Sequence, residues 1–132
     1  MVNIDGVLAF IHPESGEGND KPGKPSAATL WFGSTVEQDS LVRHEASALT
    51  HVNKNSAKFL FINSSLPRFH TGRDDMIKKL NKYLIYNEVM TIEDTPHTIW
   101  LFHPWFDKIF KRVVKFFEKT ALIWKSKFAN LH

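Results

Sequence analysis

The chain has 132 residues, of which 42% are hydrophobic and 23% are charged, so it is long enough to bury the core of a single domain. It contains no cysteine, which excludes disulfides, thiol catalysis and thiolate metal sites. The net charge of +3 is too small to indicate a nucleic-acid-binding domain, and we expect no nucleic-acid partner.

The first ten residues, MVNIDGVLAF, lack the features of a secretion signal. No basic residue precedes the apolar part, and Asp5 interrupts it. The chain has no run of 18 apolar residues, so we predict no membrane-spanning helix and do not expect a membrane partner. The chain as given is therefore expected to be cytoplasmic.

The first part of the chain is predicted to hold one strand, a long loop and short helices. Val2–Ile11 contains a short apolar run of the kind that forms a buried strand. Residues 13–28 are rich in Pro, Gly, Ser and charge, which predicts a surface loop. Val36–Leu49 is predicted to form one or two short helical turns, with Thr35 as a cap.

The next part alternates strand, helix and strand. Lys58–Asn63 (KFLFIN) is a fully apolar run, and Tyr86–Ile92 is predicted to be a third strand. Thr71–Leu84 between them is predicted to be a helix capped by Thr71. Asp74 and Asp75 would lie in its first turn, where the helix dipole favours negative charge.

The last helix is predicted over Trp105–Phe128, where apolar residues recur at spacings of three and four. Its basic face could contact a membrane or an acidic partner, but a helix packed on a sheet with its charges in water has the same pattern. Residues 125–132 are predicted to be a mobile tail. We treat residues 1–132 as one domain.

The order of these elements predicts an α/β fold with a small, mainly parallel sheet flanked by helices. Such sheets usually have five or more strands, so one flank of this sheet is expected to lack its neighbour. In an open parallel sheet, chemistry gathers at the carboxyl ends of the strands. The loops that leave those ends here contain HPESGEG, NSSLPRFHTGRDD and EDTPHTIWLFHPW, and each carries a histidine and acidic residues.

Two of these segments resemble a known family. FLFINSSLPRFHTGRDDMIKKLNKY and EVMTIEDTPHTIWLFHPWF are similar to the C-terminal half of bacterial α/β-hydrolases, in particular serine esterases of the acetyl xylan, pectin and feruloyl esterase kind. NIDGVLAFIHPESGEG and SAATLWFG fit the same group, and the resemblance runs from Val2 to Lys119. It implies a partial α/β-hydrolase fold and hydrolysis of acyl esters of plant polysaccharides, without metal or organic cofactor. Relatives of this kind can be exported.

The resemblance also implies the roles of particular residues. In this fold the chain order is nucleophile, acid, histidine, so His97 matches the catalytic histidine. The acid should lie on the loop after KFLFIN, where the nearest carboxylates are Asp74 and, failing that, Asp75. Both could instead be ordinary charges at a helix N-terminus.

The family's nucleophile motif, G-x-S-x-G, does not occur in the sequence. None of the six glycines is followed by a serine two positions later. In the family this elbow comes earlier in the chain, so the sequence is expected to represent a C-terminal portion and to show no esterase turnover alone. The alternative is a non-catalytic α/β module that pairs its open sheet flank with a second copy, as a homodimer, or with a complementary N-terminal half.

Other candidate sites are weaker. The spacing of the histidines at 12, 70, 97 and 103 does not match a zinc signature such as H-E-x-x-H, and we predict no metal site. Arg68 and Arg73 could steer an anionic sugar. Trp31, Trp100 and Trp105 could line a sugar cleft, although packing is the more common role for tryptophan.

Overall fold

The computed structural model describes residues 1–15 and 21–129, with the backbone alone for 123–129. The strands are β1 (Val2–Ile4), β2 (Phe59–Asn63) and β3 (Asn87–Thr91). The α-helices are α1 (Ala27–Phe32), α2 (Ser40–Ala46), α3 (Arg73–Lys82) and α4 (Trp105–Ala129). Short 3-10 turns span Ala48–His51, Pro67–His70 and Ile99–Leu101.

The three strands form one parallel sheet in the order β1-β2-β3. Phe61 at the centre of β2 pairs with Asn3 on one side and with Val89 on the other. The prediction of a small parallel sheet flanked by helices is confirmed. Because all three strands run the same way, the loops that follow them meet at one edge of the sheet.

The central strand, β2, is buried along its whole length, which explains its continuous apolar sequence. Phe59 and Phe61 pack on the α3 face of the sheet, and Leu60 and Ile62 pack on the α4 face. The α3-side core is completed by Leu8, Val52, Met76 and Leu80, and the α4-side core by Ile92, Ile99, Ile109 and Phe116.

The first strand is shorter than the sequence predicts. β1 ends at Ile4 because Asp5 adopts a left-handed backbone conformation, with φ of 49°, and turns the chain out of the sheet. Leu8 is buried, but in a loop that packs beside α3: its amide donates to the carbonyl of Thr71, and its carbonyl accepts from the amide of Leu49. Only the start of the run Val2–Ile11 is therefore strand; Leu8 and Ala9 are buried in the loop, and Ile11 is exposed.

Helix α3 begins two residues later than predicted. Gly72 precedes it with φ of 80°, and the hydroxyl of Thr71 donates to the carbonyl of Arg68 instead of capping the helix. Only glycine fits at position 72, since a Cβ there would lie 2.8 Å from the Cβ of Ala9. The turn thus holds the loop after β1 against the start of α3.

Helices α1 and α2 lie between β1 and β2 in the chain. Ser26 accepts a hydrogen bond from the amide of Thr29 at the start of α1, and Asp39 accepts one from Val42 at the start of α2. The side chain of Arg43, which is buried, donates to the carbonyls of 34, 35 and 39 and orders the connection between the two helices. Thr35 accepts from the amide of Gln38 and so caps a turn ahead of α2.

Two predicted segments, the loop 13–28 and the tail 125–132, include residues that the structure does not describe. The loop predicted for 13–28 ends where α1 begins, at Ala27, and its residues 16–20 are outside the described part. Of the tail predicted for 125–132, residues 125–129 continue α4 and residues 130–132 are not described. Among the described helices, none combines the length and apolar character needed to cross a bilayer.

Candidate functional site

The loops after β2 and β3 are joined at the carboxyl edge of the sheet. The amide of Thr95 donates to the hydroxyl of Ser65 at 3.4 Å, and that hydroxyl donates to the carbonyl of Thr95 at 3.5 Å. The hydroxyl of Thr95 also donates to the carbonyl of Ile92, 2.8 Å away, at the end of β3. These bonds fix the segment that leads to His97.

The carboxylate that faces His97 is Asp5, the first residue after β1. Nδ1 of His97 lies 3.2 Å from Oδ2 of Asp5. The other carboxylate oxygen accepts the amide of Ser64 at 2.7 Å, and the Asp5 amide donates to the carbonyl of Ile62. The Asp5 side chain is fully buried, whereas that of His97 is 34% exposed. A fixed, buried acid therefore holds a histidine that reaches the surface.

Two aromatic side chains hold the His97 ring. Phe69, on the loop after β2, stacks on it with 3.5 Å between ring centroids and 6° between planes. Trp100 meets it edge to face at 5.2 Å. The guanidinium of Arg68 lies over the same Phe69 ring, 4.4 Å from its centroid. The imidazole is thus oriented by packing as well as by Asp5.

The Asp5 contact determines which ring nitrogen of His97 can act as a base. Because a carboxylate accepts hydrogen bonds, this contact favours the tautomer of neutral His97 that carries its proton on Nδ1 and its lone pair on Nε2. Within the described residues, Nε2 makes no hydrogen bond. A hydroxyl placed there could transfer its proton to Nε2 while Asp5 stabilises the imidazolium that forms.

The two predicted acids, Asp74 and Asp75, pair with residues other than His97. Asp74 accepts from Nε of Arg73 at 2.8 Å, and this bond is the main cause of the lowered pKa of Asp74. Asp75 is bonded to Lys78 at 2.8 Å and to His12 at 3.2 Å, and these two partners, Lys78 first, lower its pKa. Both aspartates sit in the first turn of α3, as helix-terminal charges do. The acid paired with His97 follows β1, not β2.

The sequence does contain a signal for Asp5. An Asp-Gly pair directly after a short apolar run is typical of a turn that ends a strand. With β1 ending at Ile4, Asp5 becomes a carboxyl-end residue of a parallel strand, which is where functional side chains gather. Treating Val2–Ile11 as one strand conceals this position.

His70 lies on the 3-10 turn after β2 and interacts electrostatically with Asp5 and Asp74. Burial is the main cause of its lowered pKa, and the positive charge of Arg73 lowers the pKa further. The fold thus favours the neutral form of His70 close to the Asp5–His97 pair.

The remaining candidates are dispersed. His103 contacts Asp107 at 3.4 Å on the surface of α4, and His12 contacts Asp75. Across residues 1–15 and 21–129, no group of three or more His, Asp or Glu side chains is arranged to hold a metal ion. Trp31 is 74% exposed and Trp105 packs against the α4-side core.

The chain matches no protein-family model, no curated protein sequence and no solved structure.

Proposed function

We propose that this protein supplies the histidine–acid part of a serine esterase of the α/β-hydrolase kind. The contact between the buried Asp5 and the partly exposed His97, at the carboxyl edge of a parallel sheet, is the observation that carries this proposal. The resemblance of the loops after β2 and β3 to such esterases supports it and suggests acyl esters of plant polysaccharides as substrates.

In the proposed reaction, Nε2 of His97 accepts the proton of a serine hydroxyl as that oxygen attacks the ester carbonyl. The same proton then passes to the leaving alcohol. Water next attacks the acyl-serine and gives a proton to Nε2, which returns it to the serine oxygen as the carboxylic acid is released. Asp5 remains ionised throughout and stabilises the imidazolium. No metal or organic cofactor takes part in this scheme.

The serine and the oxyanion-hole donors are not assigned to this sequence, since it has no G-x-S-x-G motif. We propose that a separate polypeptide segment provides them. Removing one oxyanion donor costs about 3 kcal/mol in known esterolytic sites, so the chain alone should lack measurable turnover.

Complementation tests the proposal. The chain would be co-expressed with a segment that carries a strand, a G-x-S-x-G turn and a helix, sought first in the DNA upstream of Met1. Hydrolysis of p-nitrophenyl acetate is then measured. We expect background rates from either part alone and turnover from the pair, abolished by His97→Ala.

The acid assignment is tested in the same assay. Asp5→Asn should lower kcat by a factor on the order of 10³ to 10⁴, as an orienting carboxylate does in other triads. Asp74→Asn is the matched control and should leave kcat unchanged, because Asp74 pairs with Arg73. Steady hydrolysis by the chain alone that depends on His97, or a loss of activity confined to Asp74→Asn, would contradict the proposal.

A further inference from the structure

The lateral edge of the sheet that β1 forms is open. In a parallel ladder the outward and inward backbone groups alternate along a strand. The carbonyl of Met1 and the amide of Asp5 point to β2, so those of Val2 and Ile4 point away from it. Since β1 is the outermost strand, no described strand pairs with these outward groups. The free edge of β1 can accept another strand.

The opposite edge of the sheet is protected. Glu88 on β3 binds Arg112 and Lys119 of α4, and the Tyr86 ring lies under the Lys119 ammonium. Charged side chains along an edge strand discourage pairing with another chain. β1, with the sequence Val-Asn-Ile, carries no charge. The two outermost strands of the described sheet are therefore not equivalent: β3 carries a charged residue that is paired with α4, and β1 carries none.

Helix α4 extends this open edge with an apolar surface. Arg112 and Lys119 face β3, whereas Phe106, Phe110 and Phe117 lie about 150° around the helix from them, at 100° per residue. Phe117 also lines a crevice with Met1, at the start of β1. We call the three phenylalanines and the free edge of β1 the open flank.

The open flank is mainly apolar, and its charged groups, the Met1 ammonium and Lys58, lie at one end of it, in the crevice beside Phe117. Its three rings are 44%, 58% and 52% exposed and together offer on the order of 300 Å² of aromatic surface. The neighbouring Val114 and Met1 are also exposed, by 38% and 61%. With the β1 backbone, this area is a substantial part of the roughly 800 Å² that each partner buries in a stable interface.

We propose that the open flank binds a second copy of this chain about a two-fold axis. The axis would pass beside Asn3, so that the two β1 strands pair antiparallel, Val2 opposite Ile4 of the other copy. Both α4 helices then lie on the same face of a six-stranded sheet, each with its phenylalanines turned toward the axis. The flank is self-complementary, as a two-fold interface requires, because the phenylalanines of both copies meet at the axis. In this register Met1 lies opposite Asp5 of the other copy, so the two terminal ammonium groups do not face each other.

The dimer rests on the sheet edge and α4 alone and does not depend on the proposed function. A segment that extends the sheet beside β1 would compete with the second copy for the same backbone groups. Loss of the dimer in a variant therefore says nothing against the Asp5–His97 pair, and an inactive pair says nothing against the dimer.

Sedimentation equilibrium over a concentration series tests the proposal on the full chain. The wild type should have twice the monomer mass. Phe110→Lys places a charge in the open flank and should give the monomer mass, with an unchanged circular dichroism spectrum as evidence of folding. Leu84→Lys is the matched control: Leu84 is 94% exposed and lies before β3, away from the open flank, so this variant should remain dimeric.

A cross-link gives a second readout that survives if Phe110→Lys fails to fold. Because the chain has no cysteine, a single engineered thiol can form only an intermolecular disulfide. Asn3→Cys would face its own copy across the axis as a non-hydrogen-bonded pair, with the Cα atoms about 4.5 Å apart. It should oxidise to a covalent dimer, whereas Lys82→Cys on α3 should not. A monomeric wild type, or a dimer that Phe110→Lys leaves intact while Asn3→Cys fails to cross-link, overturns the proposal.

Discussion

Asp5 combines two features that are each unfavourable alone. Its left-handed backbone conformation costs about 1–2 kcal/mol for a residue other than glycine, and its carboxylate is fully buried. The backbone turn directs the side chain toward the loops after β2 and β3, where the amide of Ser64 and Nδ1 of His97 provide hydrogen bonds. Local backbone strain of this kind is common at functional sites.

His70 should make the stability of the protein depend on pH. Since burial and Arg73 lower its pKa below the ordinary 6.5, the unfolded chain binds more protons at this site than the folded chain does. The stability that neutral His70 contributes is therefore present above the ordinary pKa and is lost as the pH falls through the lower, folded value.

Urea unfolding at about pH 7.5 and about pH 5 measures this effect, since histidine titrates in that interval. Going to the lower pH, His70→Gln should lose less stability than the wild type. His44→Gln on α2, where the histidine side chain is exposed, is the matched histidine-to-glutamine control. Identical pH dependence in His70→Gln and wild type would refute this assignment.

At the scale of elements, the turn between β2 and α3 determines how the loops meet. Gly72 allows the chain to enter α3 in a left-handed conformation and lets Ala9, from the loop after β1, approach closely. The loops after β1 and β2 therefore touch at a glycine that carries no chemistry.

Two glycine substitutions separate the contributions of conformation and contact. Gly33 ends α1 with φ of 72° and has open space where a Cβ would be, so Gly33→Ala should cost about 1–2 kcal/mol of unfolding free energy from conformation alone. Gly72→Ala should cost about 1–3 kcal/mol more, because its Cβ would meet Ala9. Chemical denaturation of both variants gives the comparison. Equal losses would show that the contact with Ala9 is not tight.

At the scale of the whole molecule, the sequence predicts those strands and helices whose hydrophobic residues follow one another or recur at a regular spacing. The apolar run of β2 is expressed directly in the fold, because β2 is buried on both faces. In α4 the spacing of three and four predicts the helix but not its buried face: Ile109, Val113 and Phe116 pack on the sheet, whereas Phe106, Phe110 and Phe117 are exposed. The parallel sheet follows from the alternation of strand and helix.

What the sequence does not predict depends on backbone conformation. The left-handed turn at Asp5 converts the second part of an apolar run into a buried loop, so the strand is shorter and its carboxyl end earlier than hydrophobicity alone indicates. The acid is expected on the loop after KFLFIN, where Asp74 and Asp75 are the nearest carboxylates. Asp5, which pairs with His97, is not on that loop. Contacts between Asp5 and His97, 92 residues apart, require the fold.

The hydrogen-bonded state of His97 tests the central claim most directly. In a protein labelled with nitrogen-15 in its histidines, two-bond correlations between ring protons and ring nitrogens show which nitrogen carries the proton. We predict that neutral His97 is protonated on Nδ1, that Asp5→Asn removes this preference, and that Asp74→Asn does not. A His97 ring protonated on Nε2, or one that Asp5→Asn leaves unchanged, would contradict the account.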